Sequence, residues 1–188
     1  MTAEEVQRCF SVLEQRERLI LKFAIIAGLR PGEIFGLKWG HLTDTHAHIR
    51  QRVYRGVIDS PKSSHSVRKA ALAEGLLEDL RAWREISFSV DADAWVFPSE
   101  TAETPLGRDN VWRRRIGPQL KAAGLGWVDF HVMRRTHATL MNEIHDDPKL
   151  VADQLGHTLD VNQNVYTRAS VARRKEAVDA LESSLPVM

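Results

Sequence analysis

Tyr166 lies nine residues after His157, which closes the stretch Leu155-Gly156-His157, and this end of the chain carries its most distinctive chemistry. A phenol titrates near pH ~10 and is protonated at neutral pH, so tyrosine is an unusual nucleophile. It becomes useful where the attacked centre is a phosphodiester and the phosphoryl group is kept as a covalent intermediate. Negative charge develops on such a phosphate, and several cations around it stabilise that charge. The chain offers Arg30, Lys62 and the pair His131 and Arg134, each in a local context suited to the role.

Those contexts follow from the elements around them. Residues 2 to 28 read as helical: Thr2 and Glu5 form a capping-box pattern, Val6, Phe10 and Leu13 recur at helical spacing, and Leu19, Ile20, Phe23, Ala24 and Ala27 make an apolar stripe. Gly28 can stop this helix and Pro31 can start the next, Pro31 to Leu37, which places Arg30 in a sharp turn between helices. There it is either a surface cap or a guanidinium aimed at an anion. Glu33, three residues on, either pins that guanidinium or stabilises a helix start. From His46 to Ala71 the pattern alternates as in strands and predicts a small sheet with basic residues on one face, with Lys62 near a hairpin tip. A lysine there is a solvated loop residue or one that reaches a substrate.

Residues 74 to 87 predict an amphipathic helix with an acidic outer face, followed by a polar connection around the apolar run Trp95-Val96-Phe97. A helix over 109 to 123 carries Arg113, Arg114 and Arg115 and stops at Gly124. In the next helix, 129 to 144, His131 and Arg134 stand at i and i+3 near the N-terminus, where both can meet one ligand and where phosphate is favoured. His137 reads as packing or surface. Asp147-Pro148 opens a short helix with Val151 and Leu155 inward, stopped by Gly156, and a last helix over 165 to 181 holds Tyr166 in or just before its first turn. The plainer reading of Tyr166 is a half-buried tyrosine with a hydrogen-bond partner.

Composition sets the outer bounds. A length of 188 residues suits one domain with its own core, and 43% hydrophobic with 27% charged residues is the make-up of a soluble globular chain. Cys9 is the single cysteine, which excludes an internal disulfide and fits a reducing cytoplasm. No apolar run approaches the ~18 residues of a membrane span, so no membrane partner is expected. The histidines show no H-x-x-x-H or His-carboxylate helix pattern, so a metal-hydrolase reading fails. The net charge is only +1, yet residues 48 to 69 and 108 to 135 each carry +5 while 74 to 104 carry −6. A chain segregated this way can turn a basic face to a polyanion, or simply scatter solvated charges.

Taken together and in order, several segments resemble the tyrosine recombinase (phage integrase) family. They are Gly28-Leu29-Arg30-Pro31-Gly32-Glu33-Ile34, Ser60-Pro61-Lys62-Ser63 with Arg68, His131-x-x-Arg134-Arg135-Thr136, and Leu155-Gly156-His157 with Tyr166. Trp95-Val96-Phe97-Pro98 and Lys121-Ala122-Ala123-Gly124-Leu125 also sit where the family has similar segments. Two departures stand out. Val132-Met133 replaces the usual Asp-Leu, a lost carboxylate for which Asp129 can substitute, and Lys69-Ala70-Ala71-Leu72 lacks the usual β-branched residue and proline at the hairpin's end.

The resemblance implies a mainly helical α+β fold with a small antiparallel sheet, one catalytic domain over 1–188, and cleavage and rejoining of double-stranded DNA without metal or nucleotide. Tyr166 would attack the scissile phosphate, while Arg30, Arg134 and His157 hold the non-bridging oxygens. Lys62 would protonate the leaving 5′-oxygen, His131 would help take the tyrosine proton, and Glu33 would support Arg30. It further implies partner protomers in a synaptic tetramer on DNA, a monomer in isolation, and an N-terminal DNA-clamping domain that this chain lacks, as an excised fragment or truncated relative would. Two rival readings are a type IB topoisomerase-like nicking-closing enzyme and a non-catalytic DNA-binding relative. The complete Leu-Gly-His signature speaks against the first, and the six retained polar positions against the second.

Overall fold

Thr2 starts the first helix as its spacing predicts: its hydroxyl accepts from the Glu5 amide at 3.2 Å, and the Glu5 carboxylate accepts from the Thr2 amide at 2.8 Å. In the computed structural model, which describes residues 1–59, 67–145 and 147–156, this helix is α1 (Ala3–Ser11). The expected continuous helix is in fact two. Glu14 adopts an extended conformation (ψ 167°) and α2 restarts at Gln15–Ile25, so the chain folds back and Leu13 still reaches the core. α2 buries Leu19, Ile20, Leu21, Phe23, Ala24 and Ile25. At about 1.5–3 kcal/mol for each large side chain, this helix is a main anchor of the core.

The chain then makes the turn that carries Arg30. α3 (Pro31–Ile34) begins on proline as expected but closes after one turn, short of Leu37. Among the described residues the expected small antiparallel sheet consists of two ladders. β1 (His46–Ile49) pairs with β4 (Arg68–Ala71) in the register His46↔Ala71 to Ile49↔Arg68, and β2 (Arg52–Tyr54) pairs with β3 (Val57–Asp59). The break falls at Gln51, whose side-chain amide donates to the Gly36 carbonyl at 2.8 Å and pins the chain to the loop after α3.

α4 (Glu74–Glu85) packs Leu76, Leu77 and Leu80 inward. The Trp95-Val96-Phe97 run is buried across it: the Trp83 indole donates to the Val96 carbonyl at 2.8 Å, and Phe97 meets Phe23 edge-on with centroids 6.0 Å apart. The helix expected over 109 to 123 is α5 (Arg108–Val111) and α6 (Gly117–Ala122), joined by a π-helical turn over Trp112–Ile116. Pro118 lacks an amide to donate, and just before it the Gly117 amide reaches back five residues to the Trp112 carbonyl. α7 (Phe130–His145) and α8 (Pro148–Leu155) complete the described chain. They meet over a small cluster of Ala138, Val151 and Leu155. Among the described residues no helix is long and apolar enough to cross a membrane.

Candidate active site

α8 ends on Gly156, which adopts the left-handed conformation (φ 67°, ψ 57°). A helix that stops here leaves its last carbonyls without amide partners, and cations at this end also complement the helix dipole. Three arginines from three distant parts of the chain take up these carbonyls. Arg68 donates to Gln154 at 2.8 Å, Arg134 to Leu155 at 2.6 Å and Arg30 to Gly156 at 3.0 Å. The next residue in sequence is His157.

Each guanidinium is held from behind as well. Arg30 precedes Pro31 in the turn after α2, and Glu33 grips it twice, its carboxylate accepting from the Arg30 amide at 2.9 Å and from Nη1 at 2.8 Å. The two readings of Glu33 in the sequence are therefore both realised: it pins the guanidinium and it caps the helix. Arg134 points inward from α7, 3% exposed, and its Nη1 donates to the Gly28 carbonyl. That carbonyl is available because Gly28 is itself left-handed (φ 67°), a conformation that costs other L-residues roughly 1–2 kcal/mol. Space also demands glycine at position 28, since a Cβ would stand 2.6 Å from the His137 ring and 2.8 Å from Leu155 Cδ2.

The electrostatics follow from this packing. Burial pushes the Glu33 carboxyl up, but the paired guanidiniums of Arg68 and Arg30 outweigh it and leave its pKa below the ordinary carboxylate value. Glu33 is thus an anion between two cations. Arg30 remains the accessible member, its side chain 36% exposed, with N–H groups beyond those that bond Glu33 and Gly156. His131 lies exposed in the first turn of α7, one turn before Arg134, and the start of that helix is capped by Asp129, whose carboxylate accepts from the Val132 amide at 2.7 Å. Asp129 therefore supplies the helix-start carboxylate that Val132 does not.

Arg30, Glu33 and Arg134 are brought to one corner, with His131 on the helix that carries Arg134. Lys62, His157 and Tyr166 lie outside the described residues. Three other residues shape the corner without having stood out as site residues in the sequence. Arg68 appears there only as part of a hairpin pattern. His137 is the packing residue of its two readings: it is 3% exposed, its Nδ1 lies 3.0 Å from the Ile25 carbonyl, and burial lowers its pKa to about 4. Gln154 carries no sequence signal, yet its side chain bonds the Ala71 amide (2.9 Å), the Ala71 carbonyl (3.0 Å) and the Ala27 carbonyl (2.9 Å).

The chain is similar to known proteins over nearly its whole length. The chain is 26% identical to the ICEBs1 integrase of Bacillus subtilis, over 97% of this chain and 54% of that protein. It is 28% identical to the tyrosine recombinase XerA of Thermococcus kodakarensis, over 94% of this chain and 60% of that protein. It spans little more than half the length of these relatives. Its fold is similar to the Tn1549 transposon integrase, solved in complex with circular intermediate DNA, with a TM-score of 0.76 at 19% identity over 96% of this chain and 66% of that one. The crystal structure of XerA recombinase superposes with a TM-score of 0.76 at 22% identity, over all of this chain and 64% of that one. The α+β architecture is therefore that of recombinase structures. The family model described as the phage integrase family matches residues 1–173, which takes in both arginines and the tyrosine, and the chain belongs to that family.

Proposed function

We propose that this chain is the catalytic part of a site-specific DNA recombinase that cuts and rejoins double-stranded DNA through a tyrosine. The observation that carries the reading is the placing of Arg30 and Arg134 on adjacent carbonyls of the α8 carboxy-terminal turn, in a chain where His157 and Tyr166 follow. Two rigidly backed guanidiniums at one corner suit the non-bridging oxygens of a single phosphate, where preorganised charge lowers the barrier most.

In this reading the Tyr166 oxygen attacks the scissile phosphorus and the bond from phosphorus to the 5′-oxygen breaks. The product is a 3′-phosphotyrosyl bond and a free 5′-hydroxyl. Arg30, Arg134 and His157 hold the non-bridging oxygens, and Glu33 keeps Arg30 in place. Lys62 gives its proton to the leaving 5′-oxygen, and His131 takes the proton from the phenol. Attack by a 5′-hydroxyl on the phosphotyrosine reverses every step and rejoins the strand, with no hydrolysis and no energy source. The Tn1549 transposon integrase is similar in fold and was solved with circular intermediate DNA, as was the XerH recombinase with its difH substrate, which supports DNA as the partner here. Synapsis as a tetramer, a monomeric state off DNA and action in the cytoplasm complete the proposal.

A duplex carrying a nick just 3′ to the candidate cleavage position tests it. The short 5′-hydroxyl fragment released on cleavage diffuses away and leaves the enzyme covalently attached. Accumulation of a denaturant-stable protein–DNA adduct is the expected result. DNA binding with no adduct on any family-type site would point instead to a non-catalytic DNA-binding protein.

A further inference from the structure

Arg68 makes directed side-chain contacts to two elements of the corner, Glu33 and the end of α8. Nη1 and Nη2 donate to the two Glu33 carboxylate oxygens, each at 3.0 Å, and Nε donates to the Gln154 carbonyl at 2.8 Å. Its side chain is 7% exposed and that of Glu33 3%. It also packs against the α8 turn, since a Cβ at position 156 would stand 2.7 Å from Arg68 Cδ and 2.9 Å from Nη1. Gly156 is thus required by its neighbour as well as by its left-handed backbone. Beside this, Gln154 bonds the Ala71 backbone, so β4 and the end of α8 are riveted at two places.

A buried ion pair contributes little net stability compared with apolar residues of similar shape. Its planar fork nevertheless fixes geometry in a way that an apolar contact or a lysine does not. The same Glu33 carboxylate that Arg68 holds by both oxygens is the one that holds Arg30. The same turn that Arg68 grips at Gln154 is the one that Arg30 and Arg134 grip at the next two carbonyls. We infer that Arg68 is a positioning residue of the anion site: it sets the Glu33 carboxylate and the α8 turn so that Arg30 and Arg134 face one phosphate. This rests on the strand-cleavage reading for its consequence but not for its geometry.

Two readouts on the full chain test it, with Arg68→Lys as the variant because it keeps the charge and loses the fork. In the first, inorganic phosphate is titrated against 15N-labelled protein and followed at the Arg30 and Arg134 side-chain resonances. Both should move together in the unaltered protein, with affinity at least tenfold weaker in Arg68→Lys. In the second, adduct formation on the nicked duplex is followed in single turnover at saturating DNA and well below the thermal midpoint. The rate should fall about 10–100-fold, the usual consequence of a small misplacement, with DNA affinity within threefold. The loss should persist when the bridging 5′-oxygen is replaced by sulfur, because the affected groups serve the non-bridging oxygens. A variant that melts earlier but binds phosphate and cleaves as the unaltered protein does would make Arg68 a structural residue and overturn the inference, as would recovery on the sulfur substrate. If the unaltered protein binds phosphate through both arginines but forms no adduct, the cleavage reading falls while Arg68 is still judged by the titration. If it does neither, both fall. Should Arg68→Lys not fold, the double exchange Arg68→Met with Glu33→Gln removes both buried charges, and it must be slower than Glu33→Gln alone.

Discussion

Arg30 and Arg134 donate to adjacent carbonyls, those of Gly156 and Leu155, at 3.0 and 2.6 Å. They are 104 positions apart in the chain and come from the α2–α3 turn and from α7. The end of α8 is what brings them together: its last two carbonyls each accept from one of the guanidiniums.

Arg134→Lys should therefore be severe although it conserves charge. A lysine cannot donate to Gly28 and Leu155 at once in the same plane. Loss of about 10²–10³ in the cleavage rate is expected, with thermal stability lowered and duplex affinity nearly unchanged. Single-turnover adduct formation beside a melting curve measures both, and a fully active lysine variant would remove Arg134 from the site.

This clamp also marks where sequence reading stops. Thr2 with Glu5, Pro31, Gly28 and Gly156 announce their local structure because caps and left-handed turns depend on a few neighbours. Arg30, Glu33 and Arg134 were legible as a set through their spacing and family resemblance. That Arg68 would share Glu33, and that Gln154 would tie β4 to α8, was not legible, because both depend on contacts between residues 35 and 83 positions apart with no local pattern. The split of the first helix at Glu14 was hidden by apolar residues that keep helical spacing across the break. The roles of all the site residues are proposals, and Lys62, His157 and Tyr166 lie outside the described residues.

Gly28→Ala tests the fold beneath the site. The left-handed backbone and the contact with His137 both oppose a Cβ, so a loss of about 2–3 kcal/mol is expected in urea denaturation. A loss below about 0.5 kcal/mol would mean that the turn adjusts freely.

His137 makes stability depend on pH. Its folded pKa is about 4, against about 6.5 for an unperturbed histidine in an unfolded chain. Between these values the unfolded chain binds a proton that the folded protein does not, so stability falls as pH drops from about 6.5 towards 4. The full effect is on the order of 3 kcal/mol. His137→Phe should flatten that part of the profile, apart from any general loss of stability. An unchanged slope would assign the acid sensitivity to other groups.

Lys62 and Arg30 should separate when the leaving group changes. Lys62→Ala is expected to slow cleavage by about 10²–10⁴ and to recover most of the rate when the bridging 5′-oxygen of the DNA is replaced by sulfur, which leaves without a proton. Arg30→Ala should not recover, because it stabilises oxygens present in both substrates. If Lys62→Ala stays equally slow on both, Lys62 is an electrostatic contact and the proton comes from elsewhere.

The most direct test of the whole account is to locate the covalent bond. Adduct trapped on the nicked duplex by the unaltered protein is digested with protease and the DNA-linked peptide identified by mass spectrometry. The account predicts a single linkage, a 3′-phosphate ester on the Tyr166 oxygen, and no adduct from Tyr166→Phe at a DNA affinity within a few-fold of the original. A linkage at any other residue, or an adduct that persists in Tyr166→Phe, would contradict it.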